Sequence, residues 1–216
     1  MASRPPAAPD LRSALPEALR TLAARGVQRS YRKGTLIIEE GSLGDTLYLL
    51  LRGRVKAFSS DARGREVTYG VYGASDYFGE MSLDGGPRAA SVIAEEACVC
   101  VVLTRQSLRE HIAAEPEFAF ELIGRVIRRA RLATQSARSM ALLDVYGRVV
   151  QLLESLAVVQ ADGARVIVQR LTHADIAARA GCSREMVSRL MKDLERGGYV
   201  ALDGGLTLAR SLPPRW

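Results

Sequence analysis

Two groups of residues carry side chains suited to chemistry. In FGEMSLDGGPRAAS, residues 78–91, Glu80 and Arg88 flank a short Asp-Gly-Gly-Pro turn. A carboxylate there can accept from a sugar hydroxyl, and a guanidinium offers a planar fork that fits phosphate oxygens. Gly79 lets backbone approach a ligand closely, and N–H groups around a glycine-rich turn form an anion-binding nest. Together they suit a sugar phosphate. Taken alone, Glu80 and Arg88 read equally as a surface ion pair across an ordinary hairpin.

The second group lies in LTHADIAARAGCSREMVSRLMKDLERGGYV, residues 171–200. Thr172 with Asp175 caps a first helix, Ala180-Gly181-Cys182 makes a tight turn, and Ser183 caps a second helix. Val187, Leu190, Met191 and Leu194 fall at i, i+3, i+4 and i+7, an inward face. Arg184, Glu185, Ser188 and Arg189 are left outward near the helix N-terminus, the part of a helix-turn-helix that enters the major groove. Arginine matches guanine O6 and N7, and glutamate accepts from cytosine N4. Lys192, one turn on, suits phosphate. Glu185 and Arg189 are also an i, i+4 pair of the kind a solvated helix carries. The agreement of caps, turn and inward face favours DNA. His173 reads as a solvent-facing residue of the first turn.

The elements that must position these groups are legible in outline. Residues 1–13 read as a disordered tail, and LPEALRTLAA, Leu15 to Ala24, has helical spacing ending at Gly26. From Val27 to Leu103 come short β-branched or aromatic runs cut by glycine and aspartate, the pattern of a small β-barrel or sandwich. Cys98 and Cys100 alternate with valine in ACVCVVL, so they share one strand face and read as core. A long helical tract runs from about Arg105 to Met140, inside a segment of residues 105–143. Ile123, Val126, Ala130, Ala133, Ala137 and Met140 form its a and d stripe, narrowed by Arg125, Arg128, Arg129, Arg131 and Arg138. That spacing favours a parallel two-helix seam between two copies of the chain over a helix packed on its own barrel. Asp144 caps the next helix, Val145 to about Leu156, and the break at Leu142 to Asp144 reads as the domain boundary. A strand, two short helices and a hairpin around Asp203-Gly204-Gly205 follow, the order of a winged helix-turn-helix over residues 144–216.

Composition excludes several classes. The chain has 216 residues, 48% hydrophobic and 25% charged, which suits two small soluble domains. No apolar run is long enough for a membrane span, and the start lacks a signal peptide's apolar region, so a cytoplasmic location is expected. Three cysteines form neither a disulfide framework nor a metal cluster. Net charge is +6, but residues through Asp144 carry 20 basic and 17 acidic side chains and those after it 10 and 7, so each part is +3. Charge alone therefore locates no DNA surface. Two histidines and no converging nucleophile, base or carboxylate pair argue against an enzyme.

Beyond the tail, the chain resembles the cyclic-AMP receptor protein and FNR family of bacterial transcription regulators. The resemblance rests on G-x-L-G-D-T-L-Y-L-L-L-x-G-x-V (Gly41 to Val55), F-G-E-M-x-L (Phe78 to Leu83) and G-G-P-R (Gly85 to Arg88). It continues in L-D-V-x-G-R (Leu143 to Arg148) and G-C-S-R-E-x-V-x-R (Gly181 to Arg189). It implies an α+β chain: an N-terminal cyclic-nucleotide-binding β-domain of jelly-roll type over residues 14–104, a long dimerisation helix, and a C-terminal winged helix-turn-helix.

The resemblance also implies that Glu80 holds a ribose hydroxyl and Arg88 a cyclic phosphate, with backbone from Gly79. The next residue, usually serine or threonine in cyclic-AMP receptors, is Ala89 here. Its N–H can still donate, but a hydroxyl contact is missing. Of two adenine-contacting hydroxyl positions on the long helix, one is Ala133 and only Thr134 survives. Cyclic AMP is thus the favoured effector, with another nucleotide such as cyclic di-GMP, a different effector, or none as alternatives. Cluster-based oxygen sensing is disfavoured by the lack of cysteine before Cys98, and His111 alone does not supply a haem ligand set. The implied partners are a second copy of the chain, palindromic duplex DNA with TGTGA-like half-sites, and RNA polymerase, with no membrane. Ser188 leaves room for TTGAT-like half-sites. A nucleotide-binding module acting on a protein partner is the reading from another class.

Overall fold

The computed structural model describes residues 11–161, 163–202 and 205–213. By its internal contacts the chain divides into two compact units, one reaching to Ser59 and resuming over Gly70–Arg129, the other taking Ser60–Tyr69 and everything from Ala130. The division by contacts lies inside the long helix, between Arg129 and Ala130. Within the described part of the segment read as a tail, Leu11–Ala14 form a 3-10 turn, and Leu15 just beyond it is buried in the core.

Helix α1 (Glu17–Ala24) follows Pro16 and buries Leu19, Leu22 and Ala23, one face at i, i+3 and i+4. Eight strands come next: β1 (Val27–Tyr31), β2 (Leu36–Ile38), β3 (Leu47–Arg52), β4 (Val55–Ser60), β5 (Glu66–Tyr72), β6 (Tyr77–Phe78), β7 (Ser91–Ala94) and β8 (Cys98–Leu103). They form two four-stranded sheets, β1-β8-β3-β6 and β2-β7-β4-β5, so the β-domain is jelly-roll-like but not a closed barrel. β3 and β8 read as near-continuous apolar runs because both faces are covered. Leu47, Leu49, Val99, Val101 and Leu103 meet α1, while Leu50, Cys98 and Cys100 join Ile38, Val55, Val92 and Phe78 between the sheets. The two cysteines thus share one face of β8, and burial pushes the Cys100 thiol up to about 12.

The expected single helical tract is two helices, α2 (Arg105–Ala114) and α3 (Glu117–Leu142). Pro116 is the cause. The residue before proline is driven from the helical region, and Glu115 has φ −133° and ψ 79°. Of 26 residues in α3, only Phe118 is buried.

His111 on α2 is fully buried, edge-on to Phe118 at 4.9 Å, and neither ring nitrogen has a partner among the described residues. Burial lowers its pKa below 6.5, partly opposed by Glu115 and reinforced by Arg25. A folded-state pKa below the unfolded value means the neutral ring is favoured, so its contribution holds above that value and is lost as pH falls. The thermal midpoint is expected to drop between about pH 7 and pH 5, and His111→Met to remove that component.

The second unit holds α4 (Val145–Leu156), β9 (Val158–Val159), β10 (Arg165–Ile167), α5 (His173–Ala180), α6 (Arg184–Arg196), β11 (Val200–Ala201) and β12 (Leu206–Leu208). Asp144 caps α4 by accepting from the Gly147 N–H at 2.7 Å. The strands form one sheet, β11-β12-β10-β9, against which Val149, Leu153, Ile176, Val187, Met191 and Leu194 bury a common core. Of the wing turn, Asp203 and Gly204 lie outside the described residues; the strands flanking it pair antiparallel, Val200 opposite Leu208.

Candidate functional site

The loop between β6 and β7 brings Arg88 inside the protein. Arg88 is 6% exposed, and its Nη1 donates to the carbonyls of Gly79 (2.8 Å) and Thr46 (3.0 Å) and to the Ser82 hydroxyl (2.7 Å). Nη2 donates to the Thr46 hydroxyl at 2.8 Å. No carboxylate among the described residues forms an ion pair with it, so the surface Glu80–Arg88 pair that the sequence allowed does not exist. Burial pulls the Arg88 pKa down, against Tyr48, Asp45 and Glu80, yet a guanidinium stays charged in proteins. Its five donors are unevenly used: Nε–H and one Nη2–H have no protein acceptor among the described residues. That is a two-donor edge of the fork, held from behind.

Two glycines shape this edge. A Cβ on Gly44 would sit 2.9 Å from Nη2 and 3.2 Å from Nε, so any side chain there crowds the free edge. Gly79 has φ +88°, and a Cβ would stand 2.8 Å from the Thr46 oxygen and 2.9 Å from Nη1. Only glycine meets both demands cheaply.

Glu80 is buried, with its side chain 1% exposed, and is paired to Arg129 of α3. Arg129 Nη1 donates to Oε1, its Nη2 donates to the Tyr77 carbonyl at 2.7 Å, and its guanidinium lies over the Tyr72 ring at 4.5 Å. Oε2 of Glu80 is buried without a partner among the described residues. A buried carboxylate oxygen with no donor is costly, and a ligand hydroxyl would satisfy it. Arg125, one turn earlier, binds Asp76 at 2.9 Å and covers the Tyr77 ring at 4.1 Å. Both arginines that narrow the α3 stripe therefore also pack on the β-domain. The missed signal was periodic: Phe118, Leu122, Arg125 and Arg129 continue one face of α3. Thr46, Ser82 and Gly44 were missed as well, because each is defined by its distance to Arg88.

Ala89 is exposed and offers only backbone. Thr134 is exposed on α3 and its hydroxyl donates to the Ala130 carbonyl, 3.0 Å away. The stripe on α3 is uncovered in one chain: Ile123 is 52%, Val126 40% and Met140 47% exposed, and Ala130, Ala133 and Ala137 are exposed too.

In the second unit, the Thr172 and Asp175 capping box starts α5, Gly181 at φ +63° ends it, and Ser183 caps α6 by accepting from the Met186 N–H. Arg148 ties the turn down by donating to the Ala180 carbonyl at 2.7 Å. Val187, Leu190, Met191 and Leu194 are buried. The opposite face presents Arg184, Glu185, Ser188 and Arg189 around one shallow depression, with Lys192 exposed a turn beyond. Glu185's own backbone N–H, then Ser183, hold its carboxyl below the usual range, so it remains an acceptor. His173 corrects the sequence reading: it is half-buried, and its Nδ1 lies 2.9 Å from the Ser188 hydroxyl.

A β-domain with a built anion edge, a long helix and a capped helix-turn-helix define a DNA-binding transcription regulator with a nucleotide-binding domain. Residues 28–115 match the Cyclic nucleotide-binding domain family and residues 147–210 the Crp-like helix-turn-helix domain. The chain is 33% identical over 193 residues to the CRP-like cAMP-activated global transcriptional regulator of Mycobacterium tuberculosis, covering 88% of this chain and 86% of that one. It is 32% identical over 181 residues to the cAMP-activated global transcriptional regulator CRP of Haemophilus influenzae, covering 81% and 80%. The chain belongs to the Crp/Fnr family of transcription regulators. Among solved structures, the Thermus thermophilus catabolite activator protein is 31% identical with a TM-score of 0.54 over 91% of both chains. The c-di-GMP responsive global regulator CLP of Xanthomonas campestris shares the fold, with TM-score 0.76 and 22% identity over 90% of this chain and 99% of that one. No helix of the described residues is long and apolar enough to cross a membrane.

Proposed function

We propose that the chain is a homodimeric, effector-controlled regulator working in the cytoplasm, which binds a cyclic nucleotide at Arg88 and Glu80 and reads palindromic DNA with α6. The observation that carries the effector assignment is the free Nε/Nη2 edge of a buried arginine, beside a glutamate with one orphaned oxygen. The edge fits two phosphate oxygens, and the orphaned oxygen accepts from a ribose hydroxyl. Cyclic AMP is the first choice, in line with the names of the two relatives. Ala89 and Ala133 remove two polar contacts expected of a cyclic-AMP receptor, which keeps cyclic di-GMP as the second reading. Calorimetry with each nucleotide on the full chain tests both. Heat from cyclic AMP that survives Glu80→Ala unchanged overturns the site.

Occupancy would be felt on α3 through Arg129, which holds Glu80 from a position between Val126 and Ala130 of the proposed seam. A ligand biases such a two-state element only by binding one state better, typically by 1 to 3 kcal/mol. In a dimer the two recognition helices meet successive major grooves about 34 Å apart, at TGTGA-like or TTGAT-like half-sites, where RNA polymerase is the expected partner. Arg184→Ala should lose discrimination mainly at one guanine, by about 1 to 3 kcal/mol, in competition binding against point-substituted duplexes. Uniform weakening on all duplexes would make Arg184 a phosphate contact instead.

A further inference from the structure

His173, the first residue of α5, sets its Nδ1 against the hydroxyl of Ser188 on α6 at 2.9 Å. Ser188 lines the outward depression with Arg184, Glu185 and Arg189, and both His173 and Ser188 are half-buried. A serine hydroxyl has one hydrogen to give and two lone pairs to offer, and on an open helix face it rotates to suit whatever it meets. A free Ser188 would donate to thymine O4 as readily as it accepts from adenine N6, and so would discriminate little. The imidazole removes that freedom. With hydrogen on Nδ1, one lone pair of Ser188 is used and the hydroxyl hydrogen faces outward. With Nδ1 bare, the hydrogen is used and only lone pairs remain.

The anchor is itself held. Thr172 and Asp175 lock the first turn of α5 reciprocally, Thr172 N–H donating to Asp175 at 2.8 Å and Asp175 N–H to the Thr172 hydroxyl at 3.1 Å. Ser183 fixes the start of α6 by accepting from the Met186 N–H. Support of this kind lets a polar contact be geometrically selective.

We propose that His173 is a positioning residue for base reading: its Nδ1 anchors the Ser188 hydroxyl and fixes whether that hydroxyl meets the base edge as donor or as acceptor. This rests on α6 being the DNA-reading helix.

Selection from duplexes with randomised palindromic half-sites, using the full chain with and without cyclic AMP, tests it. Ser188→Ala and His173→Leu should flatten preference at the same base pair by roughly 2- to 12-fold, the range of one hydrogen bond. The double variant should flatten it no further. His173→Asn, whose amide can stand in for Nδ1, should retain the preference. His173→Leu that weakens every duplex alike, or leaves the Ser188-dependent preference intact, overturns the proposal, as does a Ser188→Ala chain with unchanged preference. A wild-type chain that ranks no duplex above another overturns the DNA reading of α6 and this role with it. Arg184→Ala then also changes nothing, which separates that failure from the first.

Discussion

Replacing Arg88 with leucine is expected to reduce cyclic-nucleotide affinity by more than about a hundredfold. Two charge-assisted hydrogen bonds from the free Nε/Nη2 edge would be lost, each worth about 1.5 to 3 kcal/mol. The variant also leaves the Gly79 and Thr46 carbonyls and the Ser82 and Thr46 hydroxyls without the donor they share. Some loss of stability is therefore built in, and a second variant separates the effects. Gly44→Val keeps Arg88 but adds a side chain whose Cβ alone would stand 2.9 Å from Nη2. Both variants should lose heat on titration with nucleotide, whereas Gly44→Val should keep most of its thermal midpoint. Binding retained in both would place the nucleotide elsewhere.

Much of this arrangement was legible in the sequence where one element carried the signal. The continuous apolar runs of β3 and β8, the caps at Asp144, Thr172 and Ser183, and the 3.6-period inward face of α6 are all local patterns. Pro116 was equally local, and its break was overridden by the helical spacing on both sides. What the sequence left open depends on pairs brought together by packing. Glu80 and Arg129 are 49 positions apart, Arg88 and Thr46 42, and His173 and Ser188 15. In each case a polar residue reads as solvated until its partner is known. The orphaned oxygen of Glu80 is a sharper sign of a ligand than the motif around it, since the motif fits an ion pair as well.

Removing Arg129 should be the most destabilising single change among the polar residues of the first unit. Its partner Glu80 is almost wholly buried, while Arg129 keeps a 20% exposed side chain. Breaking a buried pair from one side strands a charge and costs about 3 to 5 kcal/mol, and the partial exposure of Arg129 points to the lower end, about 3 kcal/mol. Arg129→Met keeps a stem over Tyr72 while deleting the charge, so the deficit reports chiefly on Glu80. Denaturant unfolding of the full chain should show the midpoint falling steeply in Arg129→Met and recovering most of the way in Arg129→Met with Glu80→Gln. A neutral amide is cheaper to bury than an unpaired carboxylate. The double variant should nevertheless bind nucleotide more weakly, because a neutral amide oxygen is a poorer acceptor for a ribose hydroxyl than a carboxylate. If Arg129→Met unfolds at the wild-type midpoint, Arg129 is a surface residue that happens to lie near Glu80, and the proposed path from effector to α3 loses its first link.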